Sequence, residues 1–466
     1  MSTLLPIVNH HLSYSLSALQ VNRSHKMNDD SVWLPIYPPP EEGQQKPGLP
    51  SPQRQPFWST FPSHPAFTLS THIVPAAFLR SSPEIDLPTP PDASLSKKTR
   101  QQHLETGVMR LWELRREDSC RRGQENVQTS FERRLWICLN RYVRRNLESG
   151  TRRRKGLTLC CAHANGFNKE TWEPTIYHLL SSPAGRDVEE IWVWEAVQHG
   201  DSGLLNKGKL SSLFHWFDGT RDLLNFLIYF MPSRATSTLP LHLPKVPLEE
   251  SARRVREGFS ERTLIGVGHS IGGCLTARAC LAYPRFYSAL VLVDPVIIPL
   301  SEPTLWKVLT GMALGALGRR HSWPSREEAY STLSQSPFFG VWHPLVLKLF
   351  VECGTYYDSK SSEYKLKLDV INEATVFTDT ITGCGDMWNR MHEIDENVEI
   401  RWIMPGDYDG LVDRSSTLER VRLRPANCSH VTIPGCGHLI TQEKPKELGT
   451  EIGMFLSKYA ERKAML

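Results

Sequence analysis

The chain has 466 residues, 40% of them hydrophobic and 22% charged, with a formal net charge of +4. This is an ordinary globular composition, long enough for a full core and a second subdomain. The small positive balance gives no footing for a nucleic-acid partner, and no apolar run approaches the roughly 20 residues that a membrane-spanning helix needs.

The N-terminus, Met1-Ser2-Thr3-Leu4-Leu5-Pro6, has no basic start, and its apolar stretch is broken by proline. It makes a poor secretory signal. Residues 1–64 are rich in Pro, Ser, Gln and Asn. Such a segment buries too little apolar surface to offset its ordering entropy, so a disordered leader is expected. A first strand is expected at Phe67–Val74 and a second at Val108–Leu114. The stretch Lys97–Lys155 holds 17 Lys/Arg against seven acids. Within it Phe131, Leu135, Cys138, Leu139, Tyr142 and Val143 recur at helical spacing. This predicts a basic insert, about 117–155, carrying a helix that covers a sheet edge. A sharper reading would place that helix on an anionic membrane or on a carrier's phosphates.

From Gly156 strands and helices alternate. Strands are expected at Leu157–Cys161, Ile191–Trp194, Thr263–Val267 and Ala289–Val293. Helices are expected at Thr171–Leu180 and Asp218–Phe230, and from the turn after Val267 to Ala282. Apolar strands separated by helices imply an α/β fold with a mainly parallel sheet flanked by helices. Residues 299–395 break the rhythm with four expected helices (305–317, 326–333, 344–351, 370–374) and aromatic joins. They predict a helical cap inserted before the last two strands, Val398–Ile403 and His430–Ile433. A closing helix follows at about 443–461. The core is thus divided between residues 65–298 and 396–466.

The chemistry concentrates at Gly268-His269-Ser270-Ile271-Gly272, between an apolar strand and a helix. A serine on this sharp turn stands proud of the sheet, and the glycines let the chain bend. Ser270 is therefore the candidate nucleophile. It needs a base, a carboxylate to orient the base, and donors for an oxyanion. His438, in a glycine-flanked loop after the last strand, is the candidate base. Asp294 and Asp409 both follow strands, both preserve the order Ser, acid, His, and spacing does not separate them. The oxyanion donors would be the amides of Ile271 and of Phe167, in the loop His163-Ala164-Asn165-Gly166-Phe167, with Asn165 as alternative. The ten cysteines show no CxxC pair and no zinc spacing. Free thiols are expected, with no metal and no cofactor.

The runs Ala162-His163-Ala164-Asn165-Gly166-Phe167-Asn168-Lys169-Glu170, Gln198-His199-Gly200-Asp201-Ser202-Gly203 and Trp216-Phe217-Asp218 come first. With Gly266–Cys274 and Leu292-Val293-Asp294-Pro295, they resemble one set of fungal α/β-hydrolases. These are the peroxisomal hydrolases of host-selective-toxin and mycophenolic-acid biosynthesis and the related yeast peroxisomal lipase. The resemblance runs from about residue 67 to the end and is clearest over 157–300. It implies hydrolysis of a carboxylic ester or acyl-CoA thioester through an acyl-enzyme, in fungal lipid or secondary metabolism. It also favours Asp294 over Asp409. The long leader and the basic insert depart from the family. So does the end: the relatives close on a Ser-Lys-Leu-like tripeptide read by the peroxisomal import receptor. Ala464-Met465-Leu466 keeps the small residue and the leucine but lacks the central basic residue, leaving peroxisome and cytoplasm as expected locations. Two other readings stand beside the hydrolase: a catalytically silent scaffold binding a small apolar ligand, and a carbon–carbon bond hydrolase. An epoxide hydrolase or haloalkane dehalogenase would carry a carboxylate in place of Ser270.

Overall fold

The computed structural model describes residues 34–41, 45–61, 63, 65–92, 94–124, 127–145, 147, 156–299, 305–407 and 414–465. The chain divides into Met1–Pro35, of which only Leu34 and Pro35 are described, and Ile36–Leu466. Everything below concerns the second unit.

The elements follow in chain order: β1 (Phe67–Pro75), α1 (Lys97–Arg122), β2 (Trp136–Arg144), β3 (Leu157–Ala162), α2 (Glu173–Ser181), β4 (Val188–Trp194), α3 (Gly200–Leu205) and α4 (Trp216–Asn225). Then come α5 (Leu248–Glu257), β5 (Thr263–His269), α6 (Ile271–Ala282) and β6 (Ala289–Val293). A segment of α7 (Leu305–Gly318), β7 (Ser322–Trp323), α8 (Arg326–Ser334), α9 (Pro344–Gly354), β8 (Thr355–Asp358), β9 (Glu363–Leu366), α10 (Val370–Thr378) and α11 (Thr380–Arg390) intervenes. Last are β10 (Glu399–Pro405), α12 (Arg414–Arg422), β11 (Cys428–Ile433), α13 (Ile440–Glu443) and α14 (Pro445–Met465).

Eight strands form one sheet in the order β1-β2-β4-β3-β5-β6-β10-β11. The pairs from β4 to β11 are parallel, and β2 runs antiparallel to both β1 and β4. The central strands β3, β5 and β6 are almost wholly buried, as in a sheet whose faces are both covered, while the edge strand β11 is only partly buried. Leu159, Val193, Ile265, Val291 and Ile403 share one buried cluster with Ile452 and Leu456 of α14. The parallel strands all end at the same edge, where a doubly covered sheet gathers its loops.

The intervening segment holds the expected cap helices. It also carries a small antiparallel sheet, β7-β9-β8, and a further helix, α11, that the hydrophobic pattern did not announce. Three other expectations are corrected. The strand foreseen at Val108–Leu114 lies inside α1, whose buried Leu104, Val108, Leu111 and Trp112 form a helical stripe. Seven residues were too short a sample to reveal that period. The helix foreseen over Phe131–Val143 is β2, an inner strand buried on both faces. Such a strand shows no alternation, so its apolar residues mimic helical spacing. The basic insert is therefore no appendage. Arg141 lies inside the sheet against Glu190, and Arg122 pairs with Asp118 on its own helix. Finally, the leader is not without order throughout. Residues 45–61 lie along the body, Trp58 is fully buried beside Tyr142, and Arg54 pairs with the buried Glu173. One buried tryptophan and the Arg54 ion pair help to anchor a proline-rich segment that composition alone reads as unfolded.

No helix among the described residues is long and apolar enough to cross a membrane. Leu466 lies outside the described residues.

Candidate active site

The backbone at Ser270 has φ 57° and ψ −123°, a conformation that L-residues rarely adopt. Neighbours hold it there. Its amide donates to Val293 O at 3.1 Å, and its carbonyl accepts from Val296 N at 3.0 Å. The turn also requires close approach of two backbones. A Cβ on Gly272 would stand 2.4 Å from Ala162 O, and one on Gly268 would stand 2.4 Å from Gly272 O. The first turn of α6 is thus pressed against the end of β3.

Three strand ends then converge. His438, after β11, places Nε2 2.8 Å from Ser270 Oγ and Nδ1 2.6 Å from Asp294 Oδ2, after β6. In this arrangement Nδ1 donates to the carboxylate, leaving Nε2 to accept from the serine hydroxyl. The sequence left the acid open between Asp294 and Asp409. The structure seats Asp294 at the imidazole; Asp409 lies outside the described residues. Asp294 has φ 34° and is buried. Burial pushes its carboxyl up, but the Arg420 guanidinium, 2.8 Å from Oδ1, and the bond to His438 outweigh this and hold it below its ordinary value. The loop carrying His438 is pinned by His269. Its Nε2 lies 2.9 Å from His438 O, and its Nδ1 lies 3.2 Å from the Thr441 hydroxyl. Burial, then the adjacent His438, push His269 down to about 3, so it is a neutral donor to that carbonyl.

The loop after β3 is buttressed by two further neutral histidines. His163 Nε2 accepts from Ala196 N at 3.0 Å, so Nδ1 carries the proton donated to Ala164 O. His199 Nε2 accepts from Gly166 N, also at 3.0 Å. Burial is the main cause pushing His163 down to about 4 and His199 well below its usual range. Gly166 sits at φ 90°, and a Cβ there would stand 2.8 Å from the carboxylate of Glu373 in the cap. Asn165 Nδ2 donates to Glu373 O at 3.1 Å, so that amide is committed to the cap. Arg319 in turn pairs with Glu373. The Phe167 ring packs against Trp342 and Phe350 of the cap, in one cluster with Ala164 and Leu439. Ile271 opens α6, where an amide has no acceptor within its own helix. A small cleft lies beside the loop, lined by Gly166, Phe167, Asn168, Arg319, Phe350 and Leu366.

A buried ionic cluster supports this edge from behind. Lys169 Nζ lies 2.8 Å from Asp201, 3.0 Å from Glu170 and 3.3 Å from Glu195. Lys367 Nζ reaches the other Asp201 oxygen at 2.6 Å. Glu195, buried and beside two other carboxylates, is pushed up to about 7 by burial despite Lys169. The sequence showed Lys169, Glu170 and Asp201 only as letters of a resemblance, and did not single out Glu195 or Lys367. A lysine and carboxylates flanking glycines just past strand ends were the available signal. Arg420 gave none, because it lies on a helix with no motif of its own. None of the ten cysteines is in a disulfide, and no His/Cys/Asp/Glu group among the described residues has the arrangement of a metal site.

Residues 161–450 match the model of the Alpha/beta hydrolase family. The chain is 31% identical over 180 residues to a type I acyl-CoA thioesterase, mpaH, of Penicillium brevicompactum, covering 37% of this chain and 34% of that one. It thus spans about a third of that relative's length. It is 26% identical over 227 residues to an abhydrolase domain-containing protein, AFT2-1, of Alternaria alternata, covering 42% and 84%. The peroxisomal alpha-beta-hydrolase Lpx1 of Saccharomyces cerevisiae has the same fold, with a TM-score of 0.56 at 16% identity over 84% of this chain and 89% of that one.

Proposed function

The chain belongs to the alpha/beta hydrolase family, and on that premise we propose that it is a serine hydrolase of carboxylic esters or acyl-CoA thioesters. One observation carries the reading: the unbroken run of hydrogen bonds from Ser270 Oγ through His438 to Asp294, at 2.8 and 2.6 Å. Ser270 attacks the carbonyl as Nε2 of His438 takes its proton. Asp294 keeps the imidazole in the tautomer that can accept and stabilises the imidazolium as it forms. The amides of Ile271 and Phe167 hold the oxyanion. Collapse expels the thiolate or alkoxide, which takes the proton back from His438. Water, activated by the same imidazole, then releases the acid from Ser270.

The thioester half of the reading is supported by the relative named acyl-CoA thioesterase. Phe167 and Phe350, which line the cleft beside the loop, would offer an acyl group an apolar contact. A fluorophosphonate probe tests the nucleophile: it should label the enzyme, and Ser270→Ala should abolish labelling. Asp294→Asn should leave the protein folded and lower turnover about 10⁴-fold. Equal labelling of the Ser270→Ala protein would refute the assignment. Rates over a panel of acyl-CoA thioesters and p-nitrophenyl esters then decide the leaving group.

A further inference from the structure

Asp294 has two carboxylate oxygens, and the structure spends them differently. Oδ2 meets His438 Nδ1 at 2.6 Å, while Oδ1 meets Arg420 Nη2 at 2.8 Å. The other arm of the same guanidinium, Nη1, donates to the carbonyl of Pro295, the next residue along the chain. Arg420 therefore grips the side chain and the backbone of one turn at once. It stands on α12 with its side chain 2% exposed, against 4% for Asp294. This is a desolvated contact, and desolvated charges act on one another far more strongly than surface pairs do.

We infer that Arg420 is a positioning residue that sets the basicity of His438 through Asp294. The inference rests on the serine-hydrolase reading above. A lone buried carboxylate would stabilise imidazolium strongly and leave the histidine protonated at mildly acidic pH. A guanidinium on the far oxygen withdraws part of that stabilisation, since its positive charge opposes a second one nearby. His438 then stays a free base to lower pH. The clamp also fixes the carboxylate plane, so that Oδ2 faces the imidazole.

Other groups face this pair. His269 of β5 lies 5.4 Å from the His438 ring, and it is neutral because burial holds its value at about 3. Glu443 of α13 accepts from Gly437 N at 3.2 Å, and the backbone of Asp407 bonds Cys436 O at 3.0 Å. Arg420 differs from these in touching the acid directly.

The test replaces Arg420 with the neutral, similarly long Met, with Gln, and with Lys. Two readouts are followed from pH 5 to 9: the rate of fluorophosphonate labelling at Ser270 and the NMR titration of the His438 ring. In Arg420→Met and Arg420→Gln the acid limb of labelling and the His438 titration should both move up by about one pH unit. Labelling at pH 6 should fall about 10-fold. Arg420→Lys keeps the charge and should stay within about a third of that shift. If the limb and the titration stay in place in both neutral variants, or move as far in Arg420→Lys, the inference is overturned. The NMR titration needs no turnover. Failure of the serine-hydrolase reading itself would show separately, as wild-type protein that does not label at Ser270.

Discussion

Gly272→Ala adds one methyl group at the most crowded point of the site. Its carbon would stand 2.4 Å from Ala162 O, 2.6 Å from Ala162 C and 2.7 Å from His163 O. A Cβ essentially never lies within 3.0 Å of such an atom, and all three obstacles are backbone, so none can swing aside. The first turn of α6 must part from the end of β3 by at least about 0.6 Å, because a close-packed interior has no slack to absorb it. Ser270 Oγ is 2.8 Å from His438 Nε2, and it rides on that turn with the Ile271 amide. A displacement approaching 1 Å at a reacting group costs on the order of 100-fold. Overpacking costs a further ~1–3 kcal/mol of stability. The assay is kcat/KM on a generic p-nitrophenyl ester, with denaturant unfolding measured in parallel. Gly315→Ala is the matched control: nothing lies within 4 Å of its added carbon, and it sits in the helix α7. It should leave kcat/KM unchanged and raise stability by ~0.5–1 kcal/mol through helix propensity. A Gly272→Ala enzyme within threefold of wild type would refute the reasoning, since the two backbones would then have had room to spare.

Lys169→Met should cost about 3–5 kcal/mol, because it leaves Glu170 and Glu195 buried without their cation. The loss should be larger at pH 8 than at pH 6. Glu195, held at about 7 against an ordinary 4.5, binds a proton more tightly folded than unfolded, so its contribution weakens as pH rises through that window. Removing Lys169 exaggerates this, and an equal or smaller penalty at pH 8 in urea unfolding would contradict the assignment. Trp58→Ala should cost ~3–5 kcal/mol by the same measurement, as Trp58 is fully buried between Tyr142 and Tyr177. A cost below 1 kcal/mol would mean that residues 45–61 do not belong to the core.

The parallel part of the sheet was legible because most of its strands are short apolar runs, and each loop that carries chemistry follows such a run. Ser270 and His438 could be found this way because their neighbours are glycines with a geometric duty. Asp294 could not be separated from Asp409, since an aspartate after a strand looks alike whether it faces a histidine or caps a turn. What stayed hidden depended on partners distant in sequence. β2 resembled a helix because both its faces are covered. Arg420 carries no motif, and only the fold sets it against Asp294, 126 residues earlier. Trp58 shows the same limit from the other side, for nothing within residues 45–61 reveals the aromatic surface that receives it.

Asp201 joins three remote parts of the chain. One carboxylate oxygen takes Ser51, 150 residues upstream, and also Lys367, 166 residues downstream; the other takes Lys169. Two long loops must close before that oxygen is satisfied, and each closure is an entropic charge against the folding rate. Contacts of such sequence separation are expected to form late, after the sheet has condensed around β3 and β5. Asp201→Asn should therefore speed unfolding and leave the refolding rate within about twofold, and a refolding rate that falls in step with stability would refute this.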